Sequence, residues 1–438
     1  MQEIIKYILN FLVGRYLTED ACNFIGYTAD NKQFQDYRIV IIPSDFFNED
    51  IYGTQASLPQ LPLQQWEGLP ILFGKPRTET IDGTLVIHAD LVASSYFLIT
   101  RYEEMVRKDI RDHHHRFPGR ESLPYRAGFI HLPIIELWAK VLAEKLASTG
   151  VNIQEIPPQI SKVYLTHDVD LISRFRSSRG CLSAFAKAYK EPRNIQQALR
   201  SFFCGLEKDP WYTFPWLFQL AKPLTNKVGK DRCETVVFLR SRTGTIQEDL
   251  PVARLHSRDY QQLIALTKEH QHNIGLHASY QAGCNPSLIA EEKYNLEKHV
   301  GKPILYNRNH FLNNRDPDDF RALIDSGITD DFTMGYADMA GFRLGTSRTV
   351  QWIDPIKKEL THLKLHGLNI MDLSLSDKRY MHLNATEALA YAKQIIDIIK
   401  EVGGEINLLW HNNSVALDNN SYHSALYQDI LSYLQTKF

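Results

Sequence analysis

The chain has 438 residues, 44% of them apolar and 11% aromatic, and a formal net charge of −2. That much apolar material fills one large or two ordinary cores, so two domains are expected. The near-neutral balance excludes a global attraction to nucleic acid or to an anionic membrane and leaves any polyanion contact to a local patch. The five cysteines (Cys22, Cys181, Cys204, Cys233, Cys284) are odd in number and lack C-x-x-C spacing. They argue against a disulfide framework and a thiolate zinc site, and for a reducing, cytoplasmic setting.

Residues 1–13 set apolar side chains at helical spacing, carry Glu3 early and lack a small-residue cleavage pattern, which predicts an amphipathic helix rather than a signal peptide. No run of 18 apolar residues occurs, so no transmembrane span is expected. Residues 36–43 and Thr84–His88 read as strands, and Asp90 caps a predicted helix reaching about Lys108. The triplet His113-His114-His115 lies among charges and reads as a solvated loop, with metal binding as the alternative. A further helix is predicted from Ile134 to Thr149, stopped by Gly150. Ile156-Pro157-Pro158-Gln159 is an extended linker, so a domain boundary is placed near residue 155, separating an N-terminal α/β domain (1–155) from a second domain (156–438).

Beyond the linker, strands and helices alternate, the pattern of a parallel sheet or barrel. Strands are predicted at Lys162–Leu165, Thr235–Leu239, Asn273–Leu276, Ile304–Tyr306, around Ile328 and at Glu405–Trp410. Helices are predicted at Asp259–His270, Ser287–Val300, Pro317–Ser326 and Ala385–Val402. The basic residues Arg174, Arg176, Arg179, Lys187, Lys190, Arg193 and Arg200 read as a solvated helix face, the sharper alternative being contact with a phosphate-bearing substrate or a membrane surface.

The polar residues of interest follow the predicted strands, where α/β folds keep their chemistry. His167-Asp168-Val169-Asp170 comes directly after an apolar run, and strand alternation sends both carboxylates to one side. Two adjacent carboxylates repel, and a cation or a shared proton relieves them. His277, Arg308, His310 and His411 stand at later strand ends, and imidazoles converging with carboxylates suit a divalent ion such as Zn²⁺.

In order and spacing these motifs resemble the polysaccharide deacetylases of the nodulation-deacetylase homology type, carbohydrate esterase family 4. They are most similar to bacterial two-domain members with His-Asp-Val-Asp in the first motif, and Ser95–Glu104 in the first domain is similar to those members too. The resemblance implies a C-terminal distorted (β/α) barrel behind a smaller α/β domain. It also implies hydrolysis of an N-acetyl group on a sugar or surface-polysaccharide precursor. It assigns Asp168 as the general base, Asp170 and His277 as metal ligands, Arg308 as the group orienting the base, and His411 as the general acid. Asp330 and Asp331 resemble the acidic motif that helps to hold the catalytic histidine.

The family's second histidine would fall at 281, where this chain has Gln281; His310 is the candidate third ligand, a substrate hydrogen bond being the alternative. Tyr280, Asp331, Asp338 and Trp410 are candidates for substrate binding, with Arg343 and Asp372 able to face the same groove; Trp410 has packing as its alternative. Zinc is the expected ion, with cobalt, nickel or manganese as substitutes. Two rival functions remain at this level: a catalytically silent carbohydrate-binding or scaffold protein on the same barrel, and an amidohydrolase of non-sugar amides.

Overall fold

A computed structural model describes residues 1–176, 192–241, 246–315, 317–416 and 421–438. Cys181 and the basic residues Arg179, Lys187 and Lys190 lie outside the described residues. The chain forms two units: Met1–Gln159 with Met334–Gly367 and Ile398–Gly404, and Ile160–Thr333 with Leu368–Asp397 and Glu405–Phe438. Among the described residues no helix is long and apolar enough to cross a membrane.

In the first unit, β1 (Ile25–Tyr27), β2 (Ile39–Ile41), β3 (Gly74–Ile81) and β4 (Thr84–Ala89) form a sheet ordered β1-β2-β4-β3. The first three neighbours run parallel and β3 pairs antiparallel with β4. The predicted strand at 36–43 shrinks to the three fully buried residues of β2. Asp90 caps the helix Leu91–Ile99 as expected, accepting from the backbone N–H of Ala93, and its other oxygen is held by Ser44 and Tyr27.

The predicted long helix after Asp90 is instead two. Arg101 takes a left-handed conformation (φ 53°), and a second helix begins at Tyr102. No glycine marks this break. It sets Tyr102 against the rings of Phe46 and Tyr52, while the nearly buried Arg101 guanidinium reaches Glu104 at 3.4 Å. Aromatic burial and a buried ion pair here override a pattern that is helical on local grounds.

Among the described residues, the second unit is built on seven strands in the order β9-β8-β7-β6-β5-β11-β10, every pairing parallel. They are β5 (Lys162–Val169), β6 (Cys233–Leu239), β7 (Asn273–Ala278), β8 (Tyr306–Asn309), β9 (Asp330–Met334), β10 (Ile370–Met371) and β11 (Glu405–Leu409). Burial on both faces explains why β5 and β6 read as apolar runs rather than alternating ones. Helices Arg258–Glu269, Ile289–Val300, Asp318–Asp325 and Ala385–Glu401 fall within two residues of prediction. Among the described residues, the expected distorted barrel takes the form of a curled, open sheet in which the two-residue β10 pairs with β11 alone.

Two strands lie further along the chain than their apolar residues suggest. β8 was expected at Ile304–Tyr306 and runs through Asn307, Arg308 and Asn309, all buried. Hydrogen bonds, not apolarity, admit them to the sheet: Asn307 donates to Asp331 and Asn309, and Asn309 donates to the carbonyl of Asn313. β9 likewise begins at Asp330 rather than at Ile328.

One glycine is demanded by packing. A Cβ on Gly275 in β7 would stand 2.5 Å from the ring of Phe238 in β6. That ring in turn carries the guanidinium of Arg308, 4.6 Å from its centroid.

Candidate active site

Parallel registry brings the carboxyl ends of five strands to one place. His277 and Arg308 are direct neighbours across β7 and β8, and Leu409 lies beside both Thr166 of β5 and Met371 of β10. The residues that follow these strands therefore share one end of the sheet. Along β5, alternation separates His167 from the two carboxylates. His167 is buried between Phe218 and Tyr427 and donates from Nδ1 to the Trp410 carbonyl, and burial lowers its pKa to about 4.

Asp170, His277 and His310 are the single group of three metal-capable side chains among the described residues, their ligand atoms all within 4.8 Å of one another. Asp170 Oδ1 lies 3.3 Å from His277 Nε2 and 3.2 Å from His310 Nε2. That oxygen is buried, yet neither contact has hydrogen-bond geometry and the atom has no other partner. The opposite ring nitrogens are already committed. His277 Nδ1 lies 2.8 Å from the Arg308 carbonyl, and His310 Nδ1 lies 3.1 Å from Asp249 Oδ1. Both partners can only accept, so each ring carries its proton on Nδ1 and turns the lone pair of Nε2 to Asp170.

Two lone pairs and a carboxylate oxygen converging on one point call for a cation or a proton. A His₂Asp donor set with each imidazole anchored through its far nitrogen fits a catalytic zinc site, which needs three protein ligands. A second proton, on Nε2 of His310, is the alternative to a cation, and the electrostatics favour it. Loss of solvent disfavours ionised Asp170, but the charge of His310 and the contacts from both imidazoles outweigh it and hold the carboxyl well below its ordinary range. Burial also opposes protonation of His310, and Asp170 and Asp249 overcome it and raise its pKa.

Two pairs flank this cluster. Asp168, 3% exposed, accepts from Arg308 at 2.9 Å through Oδ1, while Oδ2 lies 3.7 Å from His277 Nε2. Arg308 has no exposed surface and also donates to Thr166 Oγ1 and the Phe332 carbonyl, which fixes the plane of its fork. On the other side, His411 donates from Nδ1 to Asp372 Oδ1 at 2.8 Å, and its Nε2 lies 3.9 Å from Asp170 Oδ2. Asp372 is held in turn by the backbone N–H of His411 and by the Ser414 hydroxyl. Burial disfavours charge on His411, but the Asp372 carboxylate, and then Asp170 and Asp168, raise its pKa to about 10.

The structure thus brings together Asp168, Asp170, His277, Arg308, His310 and His411. It revises the role of Asp372, expected to face substrate, which instead holds His411. That holding role had been read onto Asp330 and Asp331, but Asp331 is fully buried and accepts from Asn307 and Thr333. Trp410 has no exposed surface, packs against the ring of Tyr427 and donates to the His423 carbonyl, the packing alternative. Tyr280 is 8% exposed and sets its ring edge on Phe311. Asp338 belongs to the first unit, where it accepts from the backbone of Gly119 and Arg120, and Arg343 pairs there with Glu104.

Two residues escaped the sequence reading in their actual roles. Asp372 follows Ile370–Met371 as Asp170 follows its strand, but a two-residue strand is too short for periodicity to reveal. Asp249 stands in the turn Gln247–Asp249, ten residues past β6, with no local signal of its function.

Comparison with known proteins gives limited company. Residues 1–150 match a family model described as a family of unknown function, DUF7033. No curated protein matches. Among solved structures, the chain is similar to a protein from Mycobacterium smegmatis designated a polysaccharide deacetylase, at 12% identity and TM-score 0.40, over 64% of this chain and 86% of that one. A mutant of BA3943, a CE4 family pseudoenzyme with restored enzymatic activity, is similar at 9% identity and TM-score 0.29, over 64% of each chain. Likenesses this distant decide neither fold nor activity.

Proposed function

We propose that this protein is a metal-dependent deacetylase that hydrolyses an N-acetyl group on a sugar or surface-polysaccharide precursor. The observation that carries the reading is the buried Asp170 Oδ1, without a hydrogen bond, faced by the free nitrogens of two anchored imidazoles and flanked by an acid–base pair of side chains. Asp170, His277 and His310 would hold the ion. When bound, a divalent cation at these ligands lowers the pKa of water and polarises a carbonyl.

The chain's own residues divide the proton transfers. Asp168, oriented by Arg308, accepts the proton of the attacking water as its oxygen adds to the acetyl carbonyl. His411 is kept protonated by Asp372 and delivers its Nε2 proton to the amide nitrogen as the C–N bond breaks, releasing acetate and a free amine. The sugar as substrate rests on the motif resemblance.

The test is elemental analysis of untagged protein together with acetate release from N-acetylated sugars and from simple amides. About one divalent ion per chain, lost in Asp170→Asn, His277→Ala and His310→Ala, is the expected result. Asp168→Asn should keep the ion and lose at least 100-fold in turnover, about the share of one positioned general base. Protein that takes up no zinc or cobalt, or that releases acetate at the same rate without Asp168, overturns the proposal. Faster release from simple amides than from any sugar would retain the chemistry and replace the substrate.

A further inference from the structure

Asp249 is 2% exposed and connects three elements at the carboxyl end of the sheet. Its Oδ1 accepts from His310 Nδ1 at 3.1 Å and from the backbone N–H of Tyr280 at 2.8 Å, and its Oδ2 accepts from the N–H of Gln281 at 3.0 Å. The backbone around it is fixed by Arg240 at the end of β6. Arg240 donates to the carbonyls of Asp249 and Pro251, each at 2.9 Å, and to that of Asp170 at 2.5 Å. One arginine and one aspartate therefore tie the Asp170 backbone, the short helix Tyr280–Cys284 and His310 into a single support.

We infer that Asp249, in the turn after β6, is the positioning residue that makes His310 a metal ligand in place of a histidine at position 281. The inference rests on the metal-dependent reading above. Its physical content is threefold. The carboxylate demands the Nδ1–H tautomer of His310 and so frees Nε2 for the ion. It also fixes the ring's rotation and raises the ligand's basicity. Finally, it holds the start of the helix carrying Gln281 through the backbone N–H groups of Tyr280 and Gln281. Residues 281 and 310 are far apart in sequence, and it is this shared carboxylate that relates them.

The test measures metal binding rather than turnover. Metal-free wild type, Asp249→Asn, Asp249→Ala, His310→Ala and Asp249→Asn/His310→Ala are titrated with Zn²⁺ against a chromophoric chelator. Visible spectra are recorded with Co²⁺, and thermal melting of each metal-free protein identifies the folded variants. Both single Asp249 variants should bind Zn²⁺ about 10- to 100-fold more weakly and shift the Co²⁺ absorption bands, as expected for loss of a ligand's anchoring partner. The double variant should bind no more weakly than His310→Ala, because a purely structural effect of Asp249 would add to the loss of His310. Wild-type affinity and an unchanged Co²⁺ spectrum in Asp249→Asn, or full additivity in the double variant, overturn the inference and leave the metal-dependent reading standing. A wild type that binds neither ion overturns both.

Discussion

Replacing Asp372 with asparagine should flatten the pH dependence of stability in a defined window. In the folded protein, burial works against charge on His411, but Asp372 and the other carboxylates hold its pKa at about 10, against an ordinary value of 6.5. Between those values the folded state keeps a proton that the unfolded state has lost. Stability contributed by this group is therefore complete below about pH 6.5 and is lost as pH rises towards 10. Each proton retained in this way costs about 1.4 kcal/mol per pH unit, so His411 alone should remove roughly 3 kcal/mol between pH 7 and pH 9.

Asp372 is ionised in both states across this window and adds no slope of its own. In Asp372→Asn the largest favourable influence on the imidazolium is gone and burial is less opposed, so the slope should shrink by much of that amount. Urea unfolding of chelator-treated protein at pH 7, 8 and 9, at constant ionic strength, reads the effect directly. His411→Ala should show the same shallower slope. Equal slopes in wild type and both variants would refute the argument that Asp372 holds a proton on His411, and with it the assignment of His411 as the acid. The same exchange should move the alkaline limb of kcat/KM to lower pH.

Two further substitutions probe the support beneath the site. Arg308→Met leaves the Asp168 carboxylate buried without its cation and should destabilise the protein by about 3 to 5 kcal/mol in urea unfolding, and a loss below 1 kcal/mol would mean that solvent reaches Asp168 unaided. Gly275→Ala drives a methyl group into Phe238, the ring under Arg308, and should cost about 1 to 3 kcal/mol of stability. Its kcat should fall more than its KM rises, while unchanged stability would show that Phe238 yields without strain.

The sequence by itself determined the chemistry's raw materials and their approximate place. Alternation along β5 puts Asp168 and Asp170 on one side and His167 on the other, and that follows from the twofold period of an extended chain. Strand and helix alternation likewise gave the parallel sheet, because apolar runs and helical periodicity are local properties. Tertiary structure alone decided which acid serves which base. Asp331 carried the better motif likeness, yet Asp372 holds His411, since β10 pairs with β11 and brings the residues after Met371 and Leu409 side by side. The anchoring of His310 by Asp249 is of the same kind: 61 residues separate them, and the contact exists because β6, β7 and β8 lie in adjacent register and end together. Hydrogen-bond partners that distant in sequence are fixed by strand order and register, which no local pattern of residues encodes.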